Sequence, residues 1–280
     1  MKIGVVYPQN ETHGDPRGVG LIGRAAEELG YDTLFTTDHH FGPGEIAAAS
    51  GHRPVDVAPI SAMTMAAAVT STMKVGCRVF GVDYHQPVVL AKELATVDFL
   101  SKGRLVAAIG AGWVKAEYDG LGIHQDKPSV RIERLSEVVD VLRAHWGCEP
   151  IDIKGKHVSV GGFAGAPKPA QDRIPLMIGG GAEKILTLAG QKADIVSFNF
   201  NNSAGKLGAS SVASATEDET LQKIQWVKDA AGARFAELEL EIGAYFISVT
   251  DDRQAAADAL GGRFGVSGRS EEHTSELQSH

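Results

Sequence analysis

A barrel of parallel strands alternating with helices is the fold class this sequence predicts, and three observations predict it. Seven runs of apolar and β-branched residues recur along the chain, most of them separated by segments with helical periodicity. Between Lys74 and Ile123 a strand, KVGCRVFGV, precedes a helix, QPVVLAKELATVDFLSKGR, and a second strand, RLVAAIGAG, follows with a glycine-rich exit. That order is a parallel β-α-β unit. Finally, 280 residues at 43% hydrophobic and 22% charged can bury a large core, and one barrel of about 250 residues uses nearly all of it. The predicted class is therefore α/β, a TIM-type (β/α)8 barrel in a single domain.

The elements follow in order. KIGVVYP is a first strand whose apolar run stops at Tyr7 and Pro8, too short for a signal h-region or a membrane span. VGLIGRAAEELG reads as a helix, and DTLFTTD as the second strand, closing at Asp38. KVGCRVFGV is the third strand and carries Arg78 in an otherwise apolar run; RLVAAIGAG is the fourth, with the helix SVRIERLSEVVDVLRAHW behind it. IDIKGKHVSVGG breaks the alternation and reads as a hairpin turning at Lys154, Gly155 and Lys156. IPLMIGG and DIVSFNF are the fifth and sixth strands, and LEIGAYFISV the seventh. Before the seventh, NNSAGKLGASSVASATEDET is small and polar and reads as a mobile loop, a lid if it stands beside a strand end. A closed barrel needs eight strands. The eighth strand and its helix are missing from the pattern.

Residues 1–267 are the expected barrel domain, incomplete at its C-terminal side, and 268–280 an expected non-native tail. RSEEHTSELQSH, from Arg269, matches the conceptual translation of a sequencing-library adapter, and it has no apolar periodicity of its own. Removing it takes away one Arg and three Glu, so the chain stays acidic.

Composition narrows the function classes. The formal charge is −8, with no cluster of Lys and Arg to hold nucleic acid or an anionic membrane. A small-molecule partner is expected instead. Cys77 and Cys148 lie in or beside apolar segments, outside any CxxC or metal-ligand spacing, which predicts free thiols and a cytoplasmic protein.

In parallel α/β folds ligands bind where strands give way to loops, and the motifs at those exits carry a resemblance. DHH after the second strand, KVGCRVFGVDYHQPVVLAKELATVDFLSKGRL, GAGW followed by Glu117, RIERLSEVV, PLMIGGGAEKILTLAGQKADIV and WVKDAAG together resemble the luciferase-like flavin and deazaflavin oxidoreductases, within them the actinobacterial type that uses coenzyme F420. The likeness runs from Met1 to about Ser267. It implies hydride transfer between F420 and a small organic substrate. The alternatives are an FMN-dependent monooxygenase, which needs a reductase partner, and, in another class, a non-catalytic flavin-binding protein. A homodimer is compatible with each.

Each motif has a functional and a bland reading. Asp38, His39 and His40 can contact a flavin-like ring or shuttle a proton, or they are a helix-capping Asp with two packed histidines. Metal ligation by adjacent histidines is the weakest reading, and no metal is expected. The resemblance places a cis peptide behind the ring at Arg78 and Val79; otherwise Arg78 simply points into the barrel mouth. Gly110, Ala111 and Gly112 let a planar ring approach the backbone, and Trp113 can wall the pocket. Trp113 stands where some deazaflavin sugar-phosphate dehydrogenases have a catalytic Glu, which argues against that reaction. Glu117 is an acid, an oligomer contact or, most simply, a solvated loop carboxylate. Gly179, Gly180 and Gly181 before a helix form a phosphate site or only a tight turn, with Lys184 in place of the family's Arg and Glu183 beside it. His85 and Gln86 face the same rim, while Trp146 and Trp226 are expected in the core.

Overall fold

A computed structural model of the chain describes residues 1–245 and 247–264. The expected tail lies outside the described residues. One parallel sheet runs through the structure, with β1 Gly4–Val6, β2 Thr33–Thr36, β3 Lys74–Cys77, β4 Phe80–Gly81 and β5 Leu105–Gly110 in its first half. After a two-stranded hairpin, β6 Ile151–Lys154 and β7 Ser159–Phe163, it continues with β8 Leu176–Gly180, β9 Ile195–Phe198 and β10 Glu239–Ile242. The order is β1-β2-β3-β5-β8-β9-β10, with β4, the continuation of β3, paired to the far end of β5. These are the seven strands expected, with every neighbour parallel.

Side-chain alternation divides the core into two layers. On β5, Leu105, Ala107 and Ile109 face the helices and join Leu94, Leu135, Leu142 and Leu186, all buried, in the main core. Val106 and Ala108 point the other way and pack with Phe35, Met177 and Ile195. Parallel strands covered on both faces are apolar throughout rather than alternating, and β5 is buried at all six positions. The sheet curls: Lys2, before β1, pairs with Glu239, which opens β10. Among the described residues β1 and β10 have a strand neighbour on one side only.

Helices α1 Gly18–Glu28, α2 Glu45–Ser50, α3 Pro59–Val69, α4 Pro87–Leu100, α5 Lys115–Leu121 and α6 Pro128–Trp146 connect the first half, and α7 Glu183–Lys192, α8 Ala209–Ala213, α9 Glu217–Ala231 and α10 Arg253–Phe264 the second. Helix α4 starts with Pro87 at its first position, and the Gln86 side chain caps it by accepting from Val89 N–H at 2.9 Å. The hairpin stands where it was expected, its turn held by the Glu137 carboxylate, which accepts the N–H groups of Lys156, His157 and Val158. Trp146 and Trp226 pack against the core, and Trp146 Nε1 donates to Ala91 O at 3.0 Å.

Two expectations are corrected. LEIGAYFISV is strand only as far as Ile242: Gly243 lies against the Arg78 guanidinium, and Tyr245 stacks on Phe200 at 4.3 Å, so the chain leaves the sheet. The polar stretch from Asn201 is not all loop. It contains α8, and Thr216 caps α9 by accepting from Glu219 N–H.

Candidate active site

Four strand exits converge at one mouth. Beyond β2, Asp38 is buried and bonded: its Oδ2 accepts from Gly81 N–H at 2.9 Å and meets His85 Nε2 at 2.8 Å. His40 Nε2 stands 3.2 Å from Oδ1 but out of line for a hydrogen bond, so Oδ1 has no hydrogen-bond partner among the described residues. Burial opposes ionisation of Asp38, yet His40, His85 and Gly81 N–H together hold its carboxyl down at about 2. The same carboxylate raises His40. Asp38 therefore caps no helix of its own; it ties the β2 exit to β4.

His39 belongs to a second carboxylate. Its Nδ1 lies 2.7 Å from Glu117 Oε2, while Glu117 Oε1 accepts from His40 N–H at 2.6 Å and Oε2 also accepts from Tyr84 Oη at 3.0 Å. Glu117 is fully buried on α5, a correction to its reading as a solvated loop residue. Burial alone would raise it; the hydrogen bonds from His39, His40 N–H and Tyr84 turn the shift downward. An ionised Glu117 makes His39 Nδ1 the protonated nitrogen and leaves Nε2 to exchange a proton with a ligand. Trp113 stands edge-on to the His39 ring at 6.0 Å.

Arg78 and Val79 are joined by a cis peptide, and Arg78 also points into the mouth. Its guanidinium donates to Glu241, to Ser197 Oγ at 3.2 Å and to Asn199 Oδ1 at 2.9 Å, and lies over the Tyr245 ring. Val79 fills the room left by two glycines: a Cβ on Gly110 would come within 2.7 Å of it and one on Gly179 within 3.1 Å. Gly112, at φ +69°, makes way for the Tyr118 hydroxyl, and the Ala111 carbonyl accepts from Arg131 at 2.9 Å.

The glycine turn is equally confined. A Cβ on Gly180 would meet Ile185 at 2.3 Å, and one on Gly181 would meet Phe200 O at 2.2 Å. Helix α7 follows with no side chain capping its N-terminus, and Glu183 and Lys184 are both exposed there. Lys223, on α9, is buried and donates to Asn199 O and Ser214 O at 3.0 and 2.6 Å, pinning the loop beyond β9.

Asp38, His40 and His85 bring three potential ligand atoms within 4.8 Å of one another, a set chemically able to hold a divalent cation. Sequence reading missed this grouping, the partners Tyr84, Glu241 and Lys223, and a further imidazole, His52, whose ring is 4.3 Å from that of His39. The signal available for Glu117 was its place on the helix after GAGW. For the others the signal is long-range contact, which spacing does not encode.

Known proteins bear on this mouth. A model of the family described as luciferase-like monooxygenase matches residues 1–278. A Mycobacterium tuberculosis protein whose name carries no activity is 32% identical over 182 residues, covering 61% of this chain and 64%, a little under two thirds, of that relative. The F420-dependent glucose-6-phosphate dehydrogenase of Nakamurella multipartita is 28% identical over 259 residues, covering 90% of this chain and 70% of that one. Among solved structures, an F420-dependent secondary alcohol dehydrogenase in complex with an F420-acetone adduct matches with TM-score 0.67 at 20% identity, over 86% of this chain and 68% of that chain. Among the described residues no helix is long and apolar enough to cross a membrane. With the parallel sheet, the exits of β2 and β5 joined through Glu117 and the family match over nearly all its length, the chain belongs to the luciferase-like monooxygenase family.

Proposed function

We propose that this protein is an F420-dependent oxidoreductase acting on a small organic substrate. The observation that carries the reading is the pair of buried carboxylates, Glu117 and Asp38, each holding an imidazole at the exits of the sheet. The residues fit such a coenzyme: among the described residues Asp38 Oδ1 is buried without a hydrogen-bond partner beside a His40 biased toward its charged form, and the partly buried Val79 adds apolar surface at the strand exits. The names of relatives at 27 to 28% identity support F420 over other carriers.

When bound, the deazaflavin supplies the hydride chemistry. His39, with Nδ1 committed to Glu117, takes or gives a proton at Nε2, and the carboxylate stabilises the imidazolium that forms. His40 supplies positive charge, held in place by Asp38. Trp113 and Phe41 exclude water from the His39 side. The open N-terminus of α7, with Lys184, is the proposed seat of the coenzyme's phosphate.

Fluorescence titration of the full chain with F420 and FMN tests the reading. Tighter binding of F420 is expected. Tighter FMN binding together with oxygen uptake dependent on reduced FMN makes the protein a monooxygenase, the reading the family's description favours, with a reductase partner. Binding without turnover of either coenzyme leaves the non-catalytic flavin protein. A homodimer and a cytoplasmic location belong to the same proposal, tested by sedimentation and by fractionation.

A further inference from the structure

A fourth imidazole, His52, shares the mouth and has no part in the chemistry described above. The loop that carries it is fixed: His52 N–H donates to Ser50 Oγ at 3.0 Å, Val55 N–H to Phe41 O at 3.0 Å and Asp56 N–H to Gln9 Oε1 at 2.9 Å. Its ring lies beside His39 and roughly edge-on to Phe41 and Trp113, at 6.1 and 6.3 Å between centroids. Its Nδ1 is 2.7 Å from the Arg53 carbonyl oxygen. A carbonyl only accepts, so Nδ1 carries the proton and Nε2 of the neutral ring is an acceptor. Burial, reinforced by His39, lowers the His52 pKa to about 4, so the ring is uncharged at neutral pH. Two cations of the rim are paired, Arg53 with Glu11 and Lys115 with Asp119, while Lys206 is exposed on the neighbouring loop, which is held to the rim by Leu207 N–H donating to Ser50 O. The ionised carboxylates behind the rim, Glu117 and Asp38, oppose a further anion.

We propose that His52 Nε2, Phe41 and Trp113 form a substrate subsite for an uncharged molecule with an apolar body and a hydroxyl or N–H donor. This rests on the reading of the His39 mouth as the reacting site of an oxidoreductase, and deepens it by naming the substrate class. An aromatic wall with a single acceptor binds apolar surface and orients it through one hydrogen bond. A substrate that lacks the donor leaves that acceptor unpaired. A phosphorylated sugar, the substrate named for the Nakamurella relative, meets a neutral acceptor and two aromatic rings in His52, Phe41 and Trp113, none of which pairs with a phosphate.

The test uses a size-matched set of ligands, cyclohexanol, cyclohexanone and cyclohexyl phosphate, titrated calorimetrically into the full chain saturated with F420. Nitrogen-15 histidine NMR follows His52 Nε2 in parallel. Cyclohexanol should bind about tenfold more tightly than either of the others, and it alone should shift the Nε2 resonance. In His52→Phe the preference for alcohol over ketone should vanish, and His52→Gln, which restores an acceptor, should regain part of it. Tightest binding of the phosphate, no preference among the three, or a preference that survives His52→Phe overturns the subsite. Coenzyme affinity is measured first for every variant. Failure to bind F420 counts against the coenzyme reading alone, and the same ligand series on the free protein still decides the subsite.

Discussion

Glu117 and His39 are 78 residues apart and joined at 2.7 Å, Oε2 to Nδ1, with the carboxylate fully buried and the imidazole nearly so. The contact ties the exit of β2 to the helix that follows β5, and it orients the group proposed to move a proton. Glu117→Gln keeps the size but presents an amide to one of its partners, which favours the other His39 tautomer. Turnover should fall by roughly 10²-fold or more, with the fold retained by circular dichroism. His39→Ala should cost about 1–3 kcal/mol of stability, because it strips a partner from a buried carboxylate. The double variant should recover part of that stability and none of the activity. Additive losses in both properties would mean that the two residues act separately.

Lys184 and Glu183 are exposed in the first turn of α7, beside the glycine turn. Lys184→Glu should weaken F420 binding several-fold at low salt and reduce its salt dependence, and Glu183→Gln should strengthen it by a smaller factor. The glycines are a poor place to make this test. Side chains at Gly180 or Gly181 collide with Ile185 or with the Phe200 carbonyl, so a substitution there would lose affinity by disturbing packing. Unchanged affinity in both charge variants would place the phosphate elsewhere.

Asp38, His40 and His85 invite a metal test. Gly81 N–H and His85 already occupy Asp38 Oδ2, and the carboxylate biases His40 toward its charged form, so the charge of Asp38 is opposed without an ion. Prolonged chelation should leave F420 affinity and thermal stability unchanged, and zinc titration should show no saturable site tighter than about micromolar. A stoichiometric metal surviving dialysis, lost in His85→Ala, would reverse that expectation.

The legible part of this protein was its periodicity and its strand exits. All seven strands of the sheet and the hairpin were readable because burial on both faces writes continuous apolar runs, and turns interrupt them. The end of β10 was not, since it depends on Arg78 reaching across the mouth to Glu241 and leaving no room beside Gly243. Asp38, His39 and His85 were placed at the mouth and Glu117 was singled out, but the pairings were not, and Tyr84 was missed: Glu117, Tyr84 and His85 come from other exits and meet Asp38 and His39 only when the sheet curls. The glycines at 110 and 112 read as space for a ring and those at 179 and 180 as donors to a phosphate or a tight turn, whereas in the structure their missing side chains make room for Val79, Tyr118 and Ile185. Composition cannot distinguish room for a ligand from room for a neighbour.

The last prediction follows from His52. Its pKa falls from 6.5 to about 4 on folding, through burial first and the neighbouring His39 second, with the Arg53 carbonyl and then Glu117 opposing. Between those values the unfolded chain binds the proton and the folded one does not, so stability rises with pH across that window. The contribution is fully present above about 6.5 and is lost as pH falls toward 4. At roughly 1.4 kcal/mol per unit it amounts to about 2–4 kcal/mol. Asp38, held at about 2 against an ordinary 3.8, adds a separate loss below pH 4, and His40, raised by Asp38, works in the opposite sense as its proton is lost at higher pH. Urea denaturation from pH 8 to pH 2.5 should therefore show wild-type stability falling, and His52→Phe, which has no proton to gain, should flatten the curve between 6.5 and 4 while leaving the loss below pH 4 in place. An unchanged slope in the variant would mean that His52 keeps its ordinary pKa in the folded protein, and a ring titrating as it does in water is not the buried, desolvated acceptor that the proposed subsite requires.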